Sequence, residues 1–74
     1  NPDDMSEYSL DDNMNIIDVL HNSELVGSKS EARRLLNQGA IRIDGERVSD
    51  MELILSKGTE YIIKVGKRRF LKAK

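Results

Sequence analysis

The run Ser28-Lys29-Ser30-Glu31-Ala32-Arg33-Arg34-Leu35-Leu36-Asn37-Gln38-Gly39-Ala40-Ile41-Arg42-Ile43-Asp44-Gly45-Glu46-Arg47-Val48 changes its hydrophobic period once, and that change sets the architecture. Ser28 is followed three places on by Glu31, the spacing of a capping box, in which the serine oxygen accepts the third helical amide and the glutamate reaches back. Ala32, Leu35 and Leu36 recur at helical spacing as a buried stripe, and Gly39 supplies a left-handed stop. The spacing predicts a helix over about Lys29 to Gln38. After Gly39 the period falls to two. Ile41 and Ile43 flank Arg42, Asp44-Gly45 has the chemistry of a two-residue hairpin turn, and Glu46, Arg47 and Val48 return. Arg42 then lies across from Arg47 on one face, with Ile41 and Val48 on the other.

Upstream, Met14, Ile16, Ile17, Val19 and Leu20 predict a short helix to about Asn22, with Asp12 or Asn13 as its N-cap. Ser23 to Gly27 reads as a connection with Leu25 and Val26 tucked beneath it. Residues 1–13 hold Pro2, scattered acids and few aliphatics, a composition that does not offset the entropy of ordering. They read as a flexible acidic linker to a domain over 14–74. Downstream, Leu53 to Leu55 reads as a short strand, Lys57-Gly58 as a turn and Tyr61 to Val65 as a strand. Gly66-Lys67 fits a second two-residue hairpin returning through Arg68 to Lys72, which sets Lys64 across from Arg69. Two short helices packed on a small, mostly antiparallel sheet make an α+β domain.

The chain has 74 residues, no cysteine and no tryptophan, and its aromatic residues are Tyr8, Tyr61 and Phe70. A domain of this size buries about 60% of its unfolded surface. Its core must therefore be aliphatic, with no disulfide or cysteine-ligated zinc to reinforce it. Absence of cysteine leans toward a reducing, cytoplasmic setting. No apolar run approaches the roughly 20 residues that span a bilayer, so the expectation is a soluble protein. The start at Asn1 points to a piece of a longer chain.

The formal net charge of −1 conceals a division. Through Ser28 there are seven acids and no Lys or Arg; from Lys29 onward all twelve Lys and Arg face six acids, which leaves +6. Such asymmetry points toward nucleic acid or another anionic surface. Lys29, Arg33 and Asn37 share one row of the second helix, whose first turn also offers free amides to a phosphate. Arg34 lies on the other flank, near Glu31. Two basic cross-strand pairs, Arg42 with Arg47 and Lys64 with Arg69, are destabilising by themselves and easier to explain if an external polyanion completes them, the alternatives being long side chains that splay into water or a bulge that breaks the register. Lys67 and Arg68 occupy the second hairpin tip. His21 has neither a second histidine nor a cysteine to form a metal site. The carboxylates are scattered, Ser28 and Ser30 read as caps, and no glycine-rich phosphate loop precedes a helix. An independent enzyme is not expected.

The Ser28–Val48 run closely resembles the core of the S-four-like RNA-binding domain, the family of the fourth small-subunit ribosomal protein. Gly58 and Val65-Gly66-Lys67-Arg68-Arg69-Phe70 make the chain similar in particular to the C-terminal tRNA-binding domains of bacterial tyrosyl-tRNA synthetases. The resemblance covers about Asn15 to Lys72. It implies a non-catalytic module that grips the long variable arm and anticodon stem of tRNA, tyrosine tRNA by this likeness. The parent synthetase would be a homodimeric tyrosine-tRNA ligase using ATP and magnesium in a separate catalytic domain. No cofactor, metal, membrane or small-molecule substrate is implied for the module itself. By this likeness the RNA-contacting positions are Ser28, Lys29, Arg33, Gln38 and Arg42, followed by Arg34, Arg47, Lys67, Arg68 and Arg69. The family usually has asparagine where this chain has Asp44. Alternative contexts are a pseudouridine synthase or a ribosome-associated heat-shock protein. A different class of function would be protein docking through a sheet face bearing Ile62 and Leu71, opposite Ile63 and Phe70.

Overall fold

Gly39, at φ +74°, ends the second helix, and Asp44 and Gly45, at φ 52° and 88°, make the two left-handed residues of a type I′ hairpin. The computed structural model describes residues 6–74. In chain order the elements are β1 (Ser6–Tyr8), β2 (Met14–Asn15), α1 (Ile16–Asn22), α2 (Lys29–Asn37), β3 (Ile41–Ile43), β4 (Glu46–Arg47), β5 (Ile54–Leu55), β6 (Tyr61–Val65) and β7 (Arg69–Ala73). A five-stranded sheet has the order β1-β7-β6-β3-β4, and β2 pairs with β5 in a separate two-stranded ribbon. Every pairing is antiparallel except β1 with β7. The α+β class and mostly antiparallel sheet follow the expectation from sequence.

The core is entirely aliphatic. Ile16, Ile17, Val19 and Leu20 of α1 and Ala32 and Leu36 of α2 meet Ile41, Ile43, Ile63, Val65, Leu71 and Ala73 of the sheet. Alternation along the strands therefore turns one sheet face to the helices and leaves Arg42, Ile62, Lys64, Phe70 and Lys72 on the other. Both helices end in Schellman motifs. In α2 the amides of Gly39 and Ala40 donate to the carbonyls of Leu36 and Leu35 at 3.1 and 3.0 Å. In α1 the amides of Glu24 and Leu25 donate to His21 and Leu20 at 3.0 and 3.2 Å, with Glu24 in the left-handed position at φ 63°.

Four local expectations are corrected. First, α1 is capped by Asn15, whose side chain accepts from the Ile17 amide at 2.8 Å, rather than by Asp12 or Asn13. Met14 and Asn15 leave the helix to pair with Leu55 and Ile54, and the Ile16 amide donates to the Leu53 carbonyl at 2.8 Å. Second, Ser28 caps α2 as predicted, accepting from Glu31 at 3.1 Å, but the Glu31 carboxylate reaches one residue further back, to the Gly27 amide at 2.7 Å.

Third, the β6–β7 loop has three residues, Gly66-Lys67-Arg68, so Val65 pairs with Arg69 and Lys64 with Phe70. A one-residue slip moves every side chain of the strand to the opposite face. The expected Lys64–Arg69 pair does not form; Leu71 is 1% exposed, and Phe70 faces outward. The expected turn would have pointed Lys72 at the core, where an unpaired charge is costly; the longer loop buries Leu71 and Ala73 and leaves Lys72 outside. The docking face built on Ile62 and Leu71 is thereby excluded.

Fourth, part of the stretch read as a linker is built into the fold. Ser6, Glu7 and Tyr8 pair with Leu71, Lys72 and Ala73, the Leu10 amide donates to the Lys74 carbonyl at 2.8 Å, and Leu10 is 3% exposed. The remainder of that expected linker, residues 1–5, lies outside the described residues.

Candidate nucleic-acid interface

The junction between α2 and β3 gathers four of the eight cations expected to contact RNA, Arg42, Arg47, Lys67 and Arg68. The left-handed turn at Gly39 bends the chain into β3, and the Gly66 amide donates to the Ala40 carbonyl at 2.9 Å, which brings the Lys67-Arg68 tip beside this corner. From the other side, the Arg47 side chain lies against Gly39: a Cβ built there would sit 3.0 Å from Arg47 Cδ. Gln38 is the C-cap of α2, and its amide donates to the Arg34 carbonyl at 2.9 Å. Gln38, Arg47, Lys67 and Arg68 thus border one exposed corner. Cations there also complement the negative end of the helix dipole. Arg42 adjoins it directly opposite Arg47, with its Nη1 donating to the Gly45 carbonyl at 3.2 Å.

The other sequence-predicted residues are placed differently. Ser28 and Lys29 stand at the far end of α2, about 13 Å away along its axis. Lys29 is not a free member of its row, because its Nζ lies 3.1 Å from Asp18 Oδ1 on α1. Arg34 is 3.7 Å from Glu31, as its i,i+3 spacing suggested. Arg69 points toward the helices, where its Nη1 donates to the Leu25 carbonyl at 3.0 Å and ties β7 to the α1–α2 connection. Among the described residues, Arg33, Arg42, Arg47, Lys67 and Arg68 form no ion pair with a carboxylate.

Sequence reasoning singled out Lys64 but paired it with Arg69, and it placed Phe70 on the Ile63 face; the two instead pair with each other and continue the Arg42 row across the sheet. The alternation Leu71-Lys72-Ala73 carried the signal, since it buries the two apolar residues only if Phe70 is outside. Asp44, the departure from the usual asparagine, is used structurally: its Oδ1 accepts from the Ile62 amide at 3.0 Å, while its own amide donates to the Ile62 carbonyl at 2.8 Å. His21 is half-buried at the end of α1, with Nδ1 buried and unpartnered. An open groove of about 480 Å³ near β5 is lined by Val48, Leu53, Ile54 and Tyr61 with Asp44, Glu46 and Arg47, so an apolar wall and two carboxylates outweigh its single cation. Among the described residues, no three His, Cys, Asp or Glu side chains converge as metal ligands, and no helix is long and apolar enough to cross a membrane.

Capped helix, glycine corner and basic hairpins together define a small α+β module of S-four-like architecture with a cationic helix–sheet corner. The family model of the tyrosine-tRNA ligase SYY-like C-terminal domain matches residues 1–73, and the chain belongs to that family. It is 45% identical over 71 residues to a tyrosine-tRNA ligase of Francisella tularensis, covering 96% of this chain and 18% of that protein. It is 49% identical over 74 residues to the enzyme of the same name from Dehalococcoides mccartyi, covering 97% of this chain and 18% of that one. A Thermotoga maritima tyrosine-tRNA ligase is 41% identical over 69 residues, covering 93% and 17%. The chain thus corresponds to the C-terminal domain of these ligases and spans under a fifth of their length.

Proposed function

We propose that the domain is a non-catalytic tRNA-binding module of a cytoplasmic tyrosine-tRNA ligase, gripping the long variable arm and anticodon stem of tyrosine tRNA. The observation that carries this reading is the corner formed by Gln38, Arg47, Lys67 and Arg68, next to Arg42 and free of carboxylate partners among the described residues. Arg33 extends it along α2, and Ser28 and Gln38 offer neutral hydrogen-bond donors. Lys29, Arg34 and Arg69 act at the margin, each already engaged by Asp18, Glu31 or Leu25. The contacts are mainly to phosphates and to the shape of the RNA rather than to base edges. Activation of tyrosine with ATP and magnesium belongs to the catalytic domain of the parent, a homodimer in this reading. The family assignment favours this setting over a pseudouridine synthase or a heat-shock protein.

Five cations without a carboxylate partner among the described residues, Arg33, Arg42, Arg47, Lys67 and Arg68, give log affinity a slope of roughly −4 against log salt when they neutralise phosphates. Titration of a tyrosine tRNA transcript at several salt concentrations measures it. Arg42→Glu with Arg47→Glu should abolish binding, and Arg33→Ala should weaken it with the thermal midpoint unchanged. A flat salt response, with binding that survives the double charge reversal, overturns the assignment.

A further inference from the structure

The sheet face turned away from the helices carries a row of cations that ends in an aromatic ring. Pairing places Arg47 opposite Arg42, Arg42 opposite Lys64, and Lys64 opposite Phe70, so the four residues form one line across β4, β3, β6 and β7. With neighbouring strands about 4.8 Å apart, the line spans about 14 Å. No carboxylate belongs to it. The adjacent row is different: Lys72 stands opposite Glu7, and its Nζ is 4.0 Å from Glu60. One row is therefore internally neutralised and the other is left with three like charges in register, an arrangement that weakens a sheet standing alone.

Phe70 is 38% exposed in a sheet whose other large apolar side chains are buried or half-buried. The Lys64 ammonium is 5.6 Å from the ring centroid, near the outer limit of a cation–π contact. A flexible lysine at that distance can swing to a phosphate while a flat group takes its place on the ring. Cations beside an accessible aromatic are the recurring means by which proteins hold unpaired nucleotides. A protein partner would need acidic side chains to satisfy three cations in line, whereas an RNA strand brings phosphates and a stacking base together.

We propose that this row is a platform for a single-stranded nucleotide of the bound tRNA, with its base stacked on Phe70 and flanking phosphates held by Arg42, Arg47 and Lys64. The inference rests on the tRNA-binding reading and extends it from the shared Arg42 and Arg47 across the outer sheet face to an unpaired base. Phe70→Leu keeps an apolar side chain of similar reach but removes the stacking surface, while Phe70→Tyr retains it.

Both variants and the wild-type chain are titrated with the tyrosine tRNA transcript at several salt concentrations, and the Phe70 ring protons are followed by NMR. Loss of one base stack corresponds to roughly a 5- to 150-fold fall in affinity. Phe70→Leu should show it with an unchanged salt slope, Phe70→Tyr should bind within twofold of wild type, and the ring resonances should shift upfield on adding tRNA. If Phe70→Leu fails to fold, the wild-type ring shifts decide alone. Wild-type binding with Phe70 resonances unmoved, or with Phe70→Leu as tight as wild type, overturns the platform, leaves the tRNA-binding reading standing and turns the ring toward a protein partner. Failure of the wild-type chain to bind tRNA instead removes both.

Discussion

Replacing Gly39 by alanine separates two effects that meet at the helix–sheet corner. Gly39 sits at φ +74°, as the C′ residue of the Schellman motif requires, and a β-carbon there would lie 3.0, 3.3 and 3.6 Å from Cδ, Nε and Cζ of Arg47. Holding an L-residue in the left-handed region costs about 1–2 kcal/mol. Relieving the contact costs less, because the arginine arm can rotate; about 0.5 kcal/mol is the scale of a modest rotamer distortion. The backbone effect should therefore win. Gly39→Ala is expected to destabilise the domain by about 1.5–2.5 kcal/mol, or roughly 6–20 °C in thermal midpoint for a chain of this size. In an Arg47→Ala background the loss should shrink by only about 0.5 kcal/mol, the coupling read by a double-mutant cycle. Urea and thermal unfolding of the four proteins measure both quantities. A loss below about 0.5 kcal/mol in either background would refute the left-handed assignment. A loss that disappears entirely with Arg47→Ala would show that the contact, rather than the backbone, makes glycine necessary.

The same logic predicts a gain at the end of α1, where Glu24 holds the equivalent position at φ 63° without glycine's freedom. Glu24→Gly should stabilise by about 0.5–1 kcal/mol, because relief of the left-handed penalty exceeds the extra chain entropy of glycine; an unchanged or lower thermal midpoint contradicts it. Leu10→Ala should cost about 2–4 kcal/mol by opening a cavity in the core. A neutral outcome in urea unfolding would mean that Leu10 does not pack against the core and that this segment behaves as a tether.

The elements legible in the sequence are those whose signals lie close together along the chain. Ser28 and Glu31 announce the start of α2, Gly39 its end, and Asp44-Gly45 the first hairpin with Arg42 across from Arg47; all are local chemistry. Tyr61–Val65 appears with the bounds its alternation predicts. What stayed hidden depends on distant partners. β1 is held by backbone pairing to β7, and its side chains are mostly exposed, so its sequence carries almost no hydrophobic pattern. Met14 looks helical because it is apolar and adjoins α1, yet Leu55 claims its backbone. The second hairpin loop is one residue longer than the sequence reading made it, and that residue decides that Leu71 rather than Phe70 is buried. Among the expected RNA contacts, exposure was legible; the pairing of Lys29 with Asp18 and of Arg69 with Leu25 was not, because neither partner is near in sequence.

Those pairings change the meaning of the charge division. Along the chain, acids fill the first part and cations the rest, which suggests a basic domain on an acidic tether. In space the acidic part reaches into the domain at chosen points. Asp18 engages Lys29 at the start of α2 and Glu7 stands across from Lys72 in the sheet, while Asp44, an acid of the basic part, spends its carboxylate on a backbone amide. Each contact draws negative charge toward α1, one outer-face row or the hairpin turn. Exposed ion pairs of this kind contribute only about 0–1 kcal/mol to stability. Their larger effect is on the distribution of potential: cations beside them are compensated, while Arg33, Arg42, Arg47, Lys67 and Arg68 have no carboxylate partner among the described residues. A net charge of −1 is therefore compatible with a polyanion-binding face, because a ligand within a Debye length of about 8–10 Å responds to the charges of that face more than to the sum over the molecule.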